Sequence, residues 1–229
     1  MRLNPFNTNN INVRSSGGGV PGGKAGGIGC GTIVIAAIGY FVFGLDPMQT
    51  AGMVEGVQQG QQQAGPANTD EQEVCTSSEY ALEACNGLQS LNQTWAATFD
   101  AQGYGDQFQQ PTLDLYGGGG VRTGCGNGTS AMGPFYCPAD QTIYIDTSFY
   151  DTLERQLGAG GDFARYYVLA HEYGHHIQTI TGISGQIRSA QQQNPSRANQ
   201  LQVLMELQAD CYAGVWAGKN RNLIEPGDI

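Results

Sequence analysis

Histidine is scarce in this chain of 229 residues: there are three, and all fall between positions 171 and 176. Histidines scattered for packing would not concentrate in one segment. Positive charge is scarce as well. Ten Lys and Arg face 20 Asp and Glu, giving a net charge of −10, and charged residues make up only 13%. A protein that grips phosphate backbones needs a basic face, so nucleic acid is excluded as a partner. C-x-x-C spacing is missing from the six cysteines, which excludes a zinc ribbon or a thioredoxin-like motif. No internal repeat is present. The length suits one domain of ordinary size with appendages.

Four cysteines form two close pairs. Cys75 and Cys85 lie ten apart, and Cys125 and Cys137 lie twelve apart. They read as two short-range disulfides, of the kind that persist in an oxidising compartment. Cys30 lies in an apolar stretch and Cys211 in an expected helix.

Residues 1–27 are rich in Asn, Ser and Gly without apolar periodicity, which predicts a disordered leader. Residues 28–45, IGCGTIVIAAIGYFVFGL, carry no charge. At 1.5 Å per residue such a run can just cross a hydrocarbon core of about 30 Å. Arg2, Arg14 and Lys24 precede it, whereas Asp46 and Glu55 follow it. The expectation is a single transmembrane helix contacting the lipid bilayer. The leader would be cytoplasmic and the remainder extracytoplasmic. A signal peptide fits less well, since the leader is long and polar and no A-x-A site follows. A buried helix fits less well because its neighbours are too polar to cover it. Residues 46–72 are rich in Gln and Gly and read as a linker.

The domain is expected over 73–229. Helix is predicted for 73–101, with Tyr80, Leu82, Leu88, Leu91, Trp95 and Phe99 as core candidates. Glycine-rich loop with short extended pieces follows to Cys137. The alternation of QTIYID makes 141–146 the clearest strand. Further helices are predicted over 148–157, about 162–181 and about 197–219, with a polar connection across 185–200.

Within the third of these helices lies His171-Glu172-Tyr173-Gly174-His175, an H-E-x-x-H motif. Residues four apart share a helix face, so both imidazoles can address one Zn²⁺. Glu172 beside them is placed to take a proton from a metal-bound water. A catalytic zinc needs a third protein ligand and an open position. His176 points about 100° away around the helix, and Cys211 is a soft donor in a site set for water activation. Glu206 is the better candidate. It shares a face with Asp210, which can accept the second ring proton of a ligand histidine. The reverse arrangement, Asp210 as ligand with Glu206 outside, remains open.

Together these segments resemble the gluzincin-type peptidases, and most closely the bacterial family described as "putative neutral zinc metallopeptidase". The resemblance rests on GCG at 124–126, GPFYCP at 133–138, IYID at 143–146, LAHEYGHHIQ at 169–178 and ELQADCYAGVWAG at 206–218. It implies an α+β, zincin-like fold, mainly helical with a small sheet, with strand 141–146 near a cleft that accepts an extended peptide. It also implies one zinc per chain and endopeptidase activity on a peptide or protein substrate. Relatives continue past residue 229 into a segment with another histidine, so Tyr173 and Tyr212 are the candidates left for stabilising an oxyanion. Two rival functions share these residues: a non-catalytic zinc-stabilised binding domain, and a zinc amidase acting on cell-wall peptides.

Overall fold

A computed structural model describes residues 1–16, 68–117, 120–157 and 162–225. Chain order runs β1 (Val13–Arg14), α1 (Glu71–Cys75), α2 (Glu79–Ala101), β2 (Thr112–Tyr116), β3 (Gly120–Thr123), β4 (Gly126–Thr129), β5 (Phe135–Cys137) and β6 (Thr142–Asp146). Then come α3 (Ser148–Leu157), α4 (Asp162–Ile180), α5 (Ile183–Gln193) and α6 (Ala198–Lys219). The architecture is therefore mixed helix and sheet.

Helix α2 starts where Ser78 caps it: the hydroxyl accepts from the Ala81 amide. Its apolar residues recur every three or four positions, through Ala81, Ala84, Leu88, Leu91, Trp95 and Phe99, and this stripe is buried. Leu82 falls off the stripe and is exposed, contrary to its expected core role. The Cys75–Cys85 disulfide ties α1 to α2.

The main sheet has the order β1-β2-β6-β5. The first three strands are parallel, and β5 runs antiparallel to β6 along one edge. Every residue of β6 is buried, as befits a strand covered on both faces. The expected strand at 141–146 is thus interior, and the edge belongs to β5. The hairpin β3–β4 forms a separate ladder, and the Cys125–Cys137 disulfide fastens its turn to β5.

Helix α4 packs against α2, β5 and α6 and is buried nearly all round. Its closest neighbour is α6. A Cβ on Gly174 would lie 2.8 Å from the carbonyl oxygen and 2.9 Å from the Cα of Ala209. Only a residue without a side chain lets the two backbones meet there. The segment expected as a polar connection, 185–200, is largely the helix α5.

Two expectations about the N-terminal region are corrected. The leader is ordered over residues 1–16. Met1 is buried, β1 pairs with β2, and Arg14 reaches the buried Asp114 at 2.6 Å. Its polar composition hid these bonds, because they are made to distant residues rather than within the segment. The transmembrane helix and the single-pass membrane localisation are also corrected. Among the described residues no helix is long and apolar enough to cross a membrane. The run 28–45 and most of the linker, 46–67, lie outside the described residues. Moreover, Ser15 and Asn68 exchange two backbone hydrogen bonds of 2.8 Å. A single crossing between them would hold these residues about 30 Å apart.

Replacing Gly174 by Ala should force α4 and α6 apart. We expect a loss of about 1–3 kcal/mol in calorimetric stability, together with weaker metal binding. Unchanged values would mean that the helix spacing has slack.

Candidate metal centre

His171 and His175 stand one turn apart on the face of α4 that meets α6, their ring centroids 4.9 Å apart. Glu206 projects from α6 towards both. Its Oε2 lies 3.3 Å from Nε2 of His171 and 3.2 Å from Nε2 of His175. One donor atom from each of the three residues falls within 4.8 Å of the others. A tetrahedral zinc with ligands at about 2.0–2.1 Å separates its donors by about 3.3 Å. Two imidazole nitrogens and a carboxylate oxygen are also a donor set of catalytic zinc, which leaves a position for water.

Neighbouring polar groups aim these donors. Nδ1 of His171 lies 2.8 Å from Oδ1 of Asp210, which also accepts from the Tyr167 hydroxyl. A carboxylate only accepts, so Nδ1 carries the proton and Nε2 keeps its lone pair for a metal. His175 is oriented by Gln178. The Gln178 amide nitrogen donates to the Met205 carbonyl and to Oε1 of Gln208. Its Oε1 therefore accepts from Nδ1 of His175 at 2.9 Å, freeing Nε2. Gln202 donates to Oε1 of Glu206 at 2.6 Å and leaves Oε2 facing the histidines.

Electrostatics reinforce the arrangement. Burial opposes charge on His171, yet hydrogen bonds to Asp210 and Glu206 outweigh it and hold its pKa up at about 10. His175 is raised in the same way, against burial, chiefly by Glu206. Burial opposes ionisation of Glu206 too, but the two histidines carry its pKa well below the usual carboxylate range. Without metal the centre thus holds protons where a cation would sit, and binding the cation releases them.

Glu172 is only 1% exposed. Burial raises its pKa despite the neighbouring histidines, and the nearby Tyr136 backbone opposes this only weakly. Its Oε1 has no hydrogen-bond partner among the described residues. An orphaned buried carboxylate oxygen beside a metal cradle is what a metal-bound water would satisfy.

Asp210 stands behind His171, not at the convergence point, so the reverse assignment finds no geometric support. Cys211 is exposed and outside the cluster. Of the two tyrosines considered for an oxyanion, Tyr173 is buried with its hydroxyl on Asn92, and Tyr212 packs its ring edge-on against Trp95. Gln178, Gln202 and Tyr136 were missed by sequence reasoning. The first two carry a local signal, at three positions after His175 and four before Glu206; Tyr136 has none.

The family described as "Putative neutral zinc metallopeptidase" matches residues 3–229. The chain belongs to this family. The YpfJ protein of Escherichia coli (strain K12) is 44% identical over 213 residues, which is 92% of this chain and 69% of that protein. The Rv2575 protein of Mycobacterium tuberculosis (strain H37Rv) is 50% identical over 111 residues, 48% of this chain and 36% of that protein. No solved structure matches. Zinc is the metal this membership implies, and the donor set fits it.

Truncating Asp210 or Gln178 to Ala should weaken zinc binding by about 10- to 100-fold while the fold persists. Chelator competition followed by far-UV circular dichroism reads both; unchanged affinity would deny these residues an orienting role.

The centre's neighbour His176 yields a pH prediction. Burial depresses its pKa to about 4, although a hydrogen bond to the Gln109 backbone opposes this. A depressed folded-state pKa stabilises the protein fully above the unfolded value of about 6.5. That contribution disappears as pH falls from about 6.5 to about 4. At 1.36 kcal/mol per unit it amounts to roughly 3 kcal/mol. Urea unfolding of the metal-free protein at pH 7 and pH 4 should show an acid loss smaller in His176→Gln by about this amount. Equal losses in both proteins would contradict the assignment.

Proposed function

We propose that this protein is a zinc-dependent endopeptidase in which His171, His175 and Glu206 hold one Zn²⁺ and Glu172 is the general base. The observation that carries this reading is the buried, unpartnered Oε1 of Glu172 beside three converging donor atoms. When bound, zinc supplies a water acidic enough to lose its proton near neutral pH and polarises the scissile carbonyl.

The chain's own residues supply the rest. Asp210 and Gln178 hold the ligand imidazoles in the tautomer that offers Nε2. Glu172 takes the water's proton on Oε1 and delivers it to the departing amine. Burial suits it to both tasks, because a raised pKa lets it retain the proton between the two transfers. An extended peptide pairs with the edge strand β5, whose Tyr136 backbone lies close to Glu172. That brings the scissile bond to the base.

Glu172→Gln keeps the side chain's size but cannot take a proton. Zinc content should stay at one per chain while hydrolysis of a casein-type substrate falls by about 100-fold or more. A variant that hydrolyses as well as the wild type would refute the assignment of the base. Zinc bound with no hydrolysis by either protein would refute the endopeptidase reading.

A further inference from the structure

Helix α4 presents two working faces, and the second is not explained by metal binding. His171 and His175 look towards α6. Glu172 and His176, also four residues apart, look towards β5. Both meet the same residue of that strand. Glu172 lies close to the Tyr136 backbone, and His176 contacts the Tyr136 hydroxyl.

We infer that His176 is a positioning residue that seats the edge strand β5, through Tyr136, against the base Glu172. The inference rests on the peptidase reading for its consequence and on hydrogen-bond geometry for its substance.

The direction of the bonds follows from donor and acceptor inventories. Nε2 of His176 lies 2.7 Å from the carbonyl oxygen of Gln109, which can only accept. Nε2 therefore carries the proton and Nδ1 a lone pair. The Tyr136 hydroxyl, 3.1 Å from Nδ1, must donate to it. His176 is fully buried and cannot swing away: Tyr136 and Tyr173 meet its ring at interplanar angles of 71° and 79°. Tyr173 is itself tethered to Asn92 of α2.

Strand β5 needs such a hold. It has three residues and lies at the sheet edge, with a backbone ladder on one side only, to β6. Its disulfide partner Cys125 sits in an exposed hairpin turn, a poor anchor for register against a buried helix. The Tyr136–His176 bond links the strand where a peptide would pair directly to the helix that carries the base.

The test uses the zinc-loaded full chain and three variants: Tyr136→Phe, His176→Gln and the double replacement. Tyr136→Phe removes one hydroxyl and keeps the ring. Zinc content should match the wild type in all of them. In Tyr136→Phe, amide hydrogen exchange across 135–137 should speed up by about 3- to 10-fold, the worth of one neutral hydrogen bond. KM for an extended oligopeptide should rise by a similar factor, with a smaller change in kcat. The double variant should exchange no faster than His176→Gln alone, because both replacements cut the same bond. Wild-type exchange and KM in Tyr136→Phe would overturn the inference. So would zinc loss in proportion to activity, which would make His176 a support of the metal site instead. A wild-type protein that binds zinc but cleaves no peptide would sink the functional reading alone, and exchange at β5 would then decide the seating by itself.

Discussion

Everything at this centre depends on how closely α4 and α6 approach. Gly174 lies between the two metal-facing histidines, and the Ala209 backbone fills the space its side chain would occupy. Ala209 in turn lies between Glu206 and Asp210. One contact between backbones therefore brings Glu206 within reach of both Nε2 atoms and Asp210 within reach of the opposite edge of His171. Carboxylate and imidazole arms are short. A wider helix spacing would leave donors that cannot share one ion, whatever the residue types.

That proximity also has an electrostatic cost. Burying a carboxylate and two imidazoles together is unfavourable unless each charge finds a partner. Here the partners are supplied in layers. Asp210, Gln178 and Gln202 each occupy the atom that does not face the convergence point. What remains unpaired is one oxygen of Glu172. A centre in which nearly every polar atom is satisfied, and the exception lies beside the donors, is built around something that completes it.

The sequence was misleading where composition stood in for contacts. Asn-, Ser- and Gly-rich residues at the start cannot form a core alone, which suggested disorder. Yet residues 1–16 add a strand to the sheet and bury Met1 against distant elements. The apolar run 28–45 suggested a single crossing, but Ser15 and Asn68 are backbone neighbours. Periodicity did better. The stripe of α2 is buried as its spacing requires, apart from Leu82, and strand 142–146 and helices α3, α4 and α6 lie close to where pattern put them. Both disulfides join the cysteines that are nearest in sequence, where loop closure is least demanding.

By itself, the sequence determined the helix that presents His171 and His175 on one face, and the helix on which Glu206 and Asp210 share another. Helical geometry makes four-residue spacing a statement about direction, so no tertiary information was needed. The tertiary structure alone decided that Glu206 stands at the convergence point and Asp210 behind His171. It also decided that β5 rather than β6 is the strand beside the base, and that His176 reaches Tyr136. Those outcomes depend on helix separation and on strand order, which couple residues 31 to 40 positions apart. Local pattern carries no record of such distances.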